Sequence, residues 1–419
     1  ANSMFKGKDL SKVDSHTINY GHIIDGDNSI DEVLVSVMKA PKTFTCEDVV
    51  EINCHGGIAT TNKILELALL KGARLAEPGE FTKRAFLNGR IDLIEAEAVM
   101  DVINAKTEQS RKLSINQLDG SISIIIRNFR QKLLELLANI EVNIDYPEYE
   151  DIEVMTNKNI ENEIENIKNS LKTIIDESEN GKVIRNGIKV AIVGRPNVGK
   201  SSILNRILNE NKAIVTDIEG TTRDIVEGQA SIDGVLFNFV DTAGIREAKD
   251  IVEQIGIERS RNEINNSDLV LFVLNNNDVL NKEDKDLISS LPEQSLIVIN
   301  KNDLDNKLNV TDLNKDYVYI NTIDVDGIEP LKNKIKEIFN LEKIKNGDCT
   351  YLSNARQISL AKEAYAITKD VEEGIKNSVP TDLIEIDIKR IWEKLGEMLG
   401  ETYSDELINQ LFSQFCLGK

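Results

Sequence analysis

The chain has 419 residues, enough for two or three domains. Apolar residues make up 41% and charged residues 29%, which excludes a disordered or fibrous chain. With 50 Lys and Arg against 71 Asp and Glu the net charge is -21, so nucleic acid must meet a local basic patch or the charge of a partner protein.

Aromatic residues are only 5%, which argues against a single-strand stacking platform. No window approaches about 18 uninterrupted apolar residues, so no membrane association is expected, and the opening ANSMFKGKDL lacks the apolar core of a secretory signal. The four cysteines (Cys46, Cys54, Cys349 and Cys416) form no C-x-x-C pair, which fits a reducing cytoplasmic setting. Cys54 and His55 have no second pair at ligand spacing, so they do not read as a metal centre.

In chain order, residues 1–89 read as a small α/β domain. Strands are expected from Asp31 to Met38 and from Val49 to Cys54, then His55-Gly56-Gly57 and a helix from Ile58 to Leu70. Residues 90–184 read as the first part of a helical domain. One stripe carries Ile91, Ile94, Ala98, Val102 and Ala105; a second helix from about Ile122 to Ile144 steps its apolar residues by three and four. Pro147 stops it, and an acidic helix from about Asn157 to Glu177 follows. Residues 141–180 hold 12 Asp and Glu against 3 Lys, a solvated helix face. The stretch from Glu179 to Gly187 reads as a linker.

Residues 185–346 alternate strand and helix. Apolar runs at 189–193, 236–240, 269–274, 296–299 and 317–320 predict a parallel sheet. Residues 347–419 are helical again, broken at Val379-Pro380 and at 400–403. The α/β unit is therefore expected to be inserted into a helical domain.

The chemistry lies in that insert. Gly194-Arg-Pro-Asn197-Val198-Gly199-Lys200-Ser201 follows a strand and opens a helix, the context of a phosphate-binding loop. Its amides close on phosphates, Lys200 reaches the β/γ oxygens, and the Ser201 hydroxyl can ligate Mg²⁺. Asp241-Thr242-Ala243-Gly244 ends the next apolar strand, where Asp241 would hold Mg²⁺ through water and the Gly244 amide would meet the γ-phosphate. Between them Gly220-Thr221-Thr222-Arg223-Asp224 has a switch's position. Asn300-Lys301-Asn302-Asp303 ends another strand; a carboxylate there accepts both guanine N1–H and the 2-amino group, so the nucleotide is GTP and not ATP.

The residue after Asp-Thr-Ala-Gly is Ile245, which cannot orient water as a glutamine would. Glu247 and Glu253 are the carboxylates that could replace it, and Arg223 and Arg246 are nearby cations. Asn197 is placed to ligate a monovalent cation beside the phosphates.

Together these features resemble the MnmE (TrmE) family of tRNA modification GTPases. The resemblance also rests on Lys212 to Asp224, on Asp241 to Glu247 with Val252 to Arg259, and on Phe44 to Glu51. It is completed by His55-Gly-Gly57, Pro78 to Arg90 and the terminal Phe415-Cys-Leu-Gly-Lys419. It implies a folate-binding, dimer-forming N-terminal α/β domain and a helical domain split by a Ras-like P-loop G domain. It further implies potassium-dependent GTP hydrolysis driven by G-domain pairing in a homodimer. A heterotetramer with the FAD-dependent MnmG would modify carbon 5 (carboxymethylaminomethyl or aminomethyl) of the wobble uridine of certain tRNAs.

By that resemblance, potassium is held by Asn197, Thr216, Ile218 and Thr221, and Mg²⁺ by Ser201 and Thr222. Nucleotide contacts extend over Ser202, Asp217, Glu219 and Gly220, and Glu253 orients the attacking water. Glu51, Arg90 and Lys419 match a formyl-tetrahydrofolate-type site, and Cys416 is a candidate thiol. The family's opening Arg-Ile-Ser-Gly stretch does not precede Ala1, so an incomplete folate site and dimer face are expected. Asn321-Thr322-Ile323 stands where the family has Ser-Ala-Lys, with a backbone amide at Thr322 left to meet the base. The rival reading is a ribosome-assembly GTPase acting as an RNA-binding switch; the G-x-x-G clamp of a KH domain is missing, because no two glycines lie three positions apart.

Overall fold

The computed structural model describes residues 1–145, 157–210, 228–241, 264, 266–342, 352, 354–402, 405–413, 415 and 418. The chain divides into two compact units, one of 1–100, 117–164 and 366–419, the other of 101–116 and 165–365.

The first unit opens with an antiparallel sheet of β1 (Phe5–Lys6), β2 (Thr17–Asp25), β3 (Asn28–Met38) and β4 (Val49–Asn53), in that order. Alternation sends Val33, Val35 and Val37 of β3 to the core, where they meet Ile23 and the apolar stripe Ile64 and Leu67 of α1 (Ile58–Leu70). Strand β2 shows no clean apolar alternation in sequence, because Asn19, Gly21 and His22 interrupt it. A further helix, α2 (Glu80–Leu87), follows; Glu80 in its first turn is gripped by Arg74 at 2.6 Å and Arg84 at 2.7 Å.

The unit's helical part includes most of α3 (Leu93–Asn104) and the 25-residue α5 (Ser121–Asp145), whereas α4 (Glu108–Leu118) falls largely to the second unit. The α5 stripe Ile122, Ile126, Leu133 and Ile140 is fully buried, each side chain contributing about 1.5–3 kcal/mol of transfer free energy. The helix Thr381–Leu399 packs on α5. At that seam the Arg130 guanidinium lies 4.1 Å over the Trp392 ring and pairs with Glu401.

One expectation is corrected here. Residues 179–187 are not a linker: α6 (Asn157–Asn186) runs through Gly181 almost to Gly187. A glycine inside a helix costs about 1 kcal/mol. Burial of Ile174 and Ile184 and the Arg185–Asp101 ion pair at 2.7 Å offset it.

The second unit is built on a sheet in the order β10-β9-β8-β5-β7-β6. Its strands are β5 (Ile188–Gly194), β6 (Gly228–Ile232), β7 (Val235–Asp241), β8 (Leu269–Asn275), β9 (Ser295–Asn300) and β10 (Tyr317–Tyr319). All neighbours are parallel except the β6–β7 hairpin. Strands β8 and β9 are buried almost end to end, hence their continuous apolar runs. The helices α7 (Lys200–Glu210), α8 (Lys282–Ser290) and α9 (Glu329–Ile338) complete the layers. Three more helices close the chain: α10 (Ala355–Lys376), α11 (Thr381–Leu399) and α12 (Asp405–Phe412). No helix among the described residues is long and apolar enough to cross a membrane.

Candidate functional site

Strand β5 has β7 on one side and β8 on the other, so the connections leaving it diverge. A crevice opens at the carboxyl ends of parallel strands where this happens. Gly194, Asp241, Asn275 and Asn300 all sit at those ends. The sheet therefore brings three of the four sequence motifs to one edge.

The loop from Gly194 leads directly into α7, whose first residue is Lys200. The Lys200 ammonium donates to the carbonyls of Gly194 at 2.9 Å and Arg195 at 2.8 Å, so it lies folded over the loop it serves. Gly199 has φ +101°, and a Cβ there would overlap the amide nitrogen of Asn300, so the close approach needs glycine. Ser201 and Ser202 are exposed at the helix start. Asn197, also exposed, has φ 62°, a left-handed conformation that asparagine tolerates.

The base-reading motif reaches back to this loop. Asn300 donates through Nδ2 to the carbonyl of Val198 at 2.9 Å, and Lys301 donates to the carbonyl of Asn197 at 3.0 Å. Asp303 is exposed beyond them. Three buried acceptors here, the Oδ1 atoms of Asn276, Asn277 and Asn300, have no partner among the described residues. Orphaned buried acceptors cost about 1–3 kcal/mol each and are characteristic of sites completed by water or a ligand.

Several supports carried no sequence signal. Asn276, next to Asn300 across the strands, accepts from the amides of Lys307 at 3.0 Å and Leu308 at 3.2 Å, holding the segment after Asp303. Arg195 is bound by Asp284, whose carboxylate also forms the capping box of α8 with Asn281. A buried carboxylate in a capping box reads from sequence only as a cap, because its second partner lies 89 positions away. Lys332, buried between Glu210 at 2.6 Å and Glu329 at 2.7 Å, has its pKa raised: burial alone would lower it, but the two carboxylates outweigh that.

The residues fit Mg²⁺ and potassium as far as they are described. The Ser201 hydroxyl and the Asn197 amide are exposed at the phosphate loop, and neither makes a side-chain hydrogen bond among the described residues. Thr216, Asp217, Ile218, Glu219, Gly220, Thr221, Thr222, Thr242, Ala243, Gly244 and Glu253 lie outside the described residues, as does the side chain of Asp241.

In the N-terminal domain, Arg90 lies 4.8 Å over the Phe44 ring and donates to the Phe44 carbonyl at 2.9 Å. Glu51 is exposed on β4, and no bond joins it to Arg90. The remaining guanidinium nitrogens suit a carboxylate such as a folate carries. Lys419 and Cys416 lie outside the described residues. His55 is held by Asp31 at 2.8 Å, and Cys54 faces the Thr61 hydroxyl at 3.8 Å.

Comparison with known proteins identifies the family. The family model "GTP-binding protein TrmE N-terminus" matches residues 1–90, and "MnmE helical domain" matches residues 93–416. The tRNA modification GTPase MnmE of Bacillus licheniformis is 52% identical over 422 residues, covering 99% of this chain and 92% of that protein. The protein of that name from Lactococcus lactis subsp. cremoris is 52% identical over 420 residues, covering 100% and 92%. A solved structure of Era with MgGDPNP and nucleotides of 16S ribosomal RNA is 26% identical over 43% of this chain and 66% of that one. The TM-score of that match is 0.29. On the two family models and the full-length relatives, the chain belongs to the MnmE (TrmE) family.

Proposed function

We propose that the chain hydrolyses GTP in the service of tRNA modification. In the finer reading it is a potassium-dependent homodimer. With an FAD-dependent partner of the MnmG type it modifies carbon 5 of the wobble uridine. The observation that carries the GTPase step is the joining of base and phosphate ends: Asn300 and Lys301 both bond the loop that Lys200 overhangs.

GTP enters with its phosphates against the loop amides. Lys200 leaves the Gly194 and Arg195 carbonyls for the β/γ oxygens, and Asp303 accepts from the base. The backbone amide of Thr322 meets the oxygen at position 6 of guanine. Mg²⁺ on Ser201 and Thr222, and potassium on Asn197, Thr216, Ile218 and Thr221, supply positive charge against the phosphates when bound. Glu253 orients water in place of the glutamine that Ile245 displaces. A formyl-tetrahydrofolate-type donor near Arg90 and Glu51 belongs to the same reading, and a cytoplasmic location follows from the tRNA substrate.

Domain bounds of 1–89, 90–184, 185–346 and 347–419 fit this division of labour. The test is GTP turnover by Glu253→Ala and Glu247→Ala proteins. Glu253→Ala should lower kcat about 100-fold or more with GTP affinity near wild type. A larger loss from Glu247→Ala would overturn the assignment.

A further inference from the structure

We propose that Arg206 is a positioning residue for guanine recognition: it holds the 321–327 loop so that the Thr322 amide can face the oxygen at position 6 of the base. The proposal rests on the placement of guanine between Asp303 and Thr322 given above.

The loop leaves the sheet beside the base-reading motif. Ile320 donates to the Ile299 carbonyl at 2.8 Å, and Asn302 donates to the Ile320 carbonyl at 3.2 Å, so the loop's root is tied to both sides of Asn300. Asn321 then folds it. Its Oδ1 accepts from the Ile323 amide at 2.9 Å, its Nδ2 donates to the Asp324 carboxylate at 2.8 Å, and its own amide donates to the Gly327 carbonyl at 3.0 Å. This side chain replaces the serine expected at the position, and it makes an Asx turn.

Among the described residues nothing apolar anchors the tip. Ile323 and Val325 are 76% and 78% exposed, so polar bonds alone can hold it. Arg206 supplies them from α7: its Nη2 donates to the carbonyls of Asp324 at 3.3 Å and Val325 at 2.6 Å. The guanidinium also sits against Glu210, its Nε 2.5 Å from the carboxylate in an ion pair that lacks hydrogen-bond alignment, and Glu210 is bound in turn by the buried Lys332. Arg206 lies on the helix that begins with Lys200, so one rigid element carries both the phosphate-contacting lysine and the support for the base.

The test uses the protein and three nucleoside diphosphates that differ only in the base. GDP has the 2-amino group, the N1–H and the 6-oxygen; IDP lacks only the amino group, and the 2-aminopurine analogue lacks the 6-oxygen and the N1–H, so it keeps one donor for Asp303 and nothing for the Thr322 amide. In the Arg206→Ala protein, GDP and IDP should each bind about 5- to 10-fold more weakly, while the 2-aminopurine diphosphate changes less than about twofold. Arg206→Lys, which keeps a donor for one carbonyl, should fall between wild type and Arg206→Ala. Asn321→Ala should repeat the same selective pattern. Equal weakening of all three ligands, or no weakening, would overturn the proposal. Failure of the underlying guanine placement shows separately, as wild-type protein that binds all three ligands alike.

Discussion

The side-chain amide of Asn300 donates to the main-chain carbonyl of Val198 across 2.9 Å, so the residue that opens the base-reading motif also braces the phosphate loop. On the proposed reading, base and phosphate recognition are therefore one mechanical unit. Asn300→Ala should weaken GDP, IDP and XDP together, by about 10- to 100-fold, since it loosens the loop under every diphosphate. Asp303→Ala should cost guanine selectivity while leaving affinity for XDP intact. Titration with fluorescent nucleotides reads both; selective loss of GDP alone in Asn300→Ala would contradict the coupling.

Asn197 holds a left-handed backbone with its side chain exposed beside Lys200. GTP turnover should be fast in potassium and poor in sodium at equal ionic strength. Asn197→Ala should remove the difference without abolishing GDP binding. Equal turnover of the wild-type protein in the two salts would count against the cation reading.

Gly400 ends α11 with φ +86°, and a Cβ there would stand 2.8 Å from the Phe86 ring and 2.9 Å from Leu93. Gly400→Ala should destabilise the first unit by about 1–3 kcal/mol from backbone strain alone, with crowding added. Denaturant unfolding of the variant measures it.

The Arg74 guanidinium, the Glu77 amide and Arg84 hold the Glu80 carboxyl down to about 2 from its ordinary 4.5. A depressed carboxylate binds fewer protons in the folded state, so its contribution is present above pH 4.5 and lost as pH falls toward about 2. Glu80→Gln should flatten the acid side of the stability curve in that window. An unchanged acid limb in a pH series of thermal melts would show that the cluster contributes little.

Much of this was legible in the sequence because it is local. The buried strands β8 and β9 announce themselves as apolar runs, and the bounds of α1 follow from Ile58 to Leu70. The phosphate loop is a contiguous string whose spacing is set by the phosphates. What stayed hidden is long-range. Glycine and asparagine at 180–181 suggest a break, yet Asp101, 84 positions before Arg185, helps to hold the helix together. The Arg206 support and the Asn276 brace depend on main-chain carbonyls and amides, which every residue has and no residue type reveals.

The central claim is that guanine-nucleotide hydrolysis at the Lys200 loop drives tRNA modification. It is tested most directly by the nucleoside profile of tRNA from cells lacking the gene, complemented with the wild-type gene or with Lys200→Ala. The account predicts loss of the carbon-5 wobble modification in the deletion strain, its return with wild type and its continued absence with Lys200→Ala. An unchanged profile in the deletion strain, or full restoration by Lys200→Ala, would contradict it.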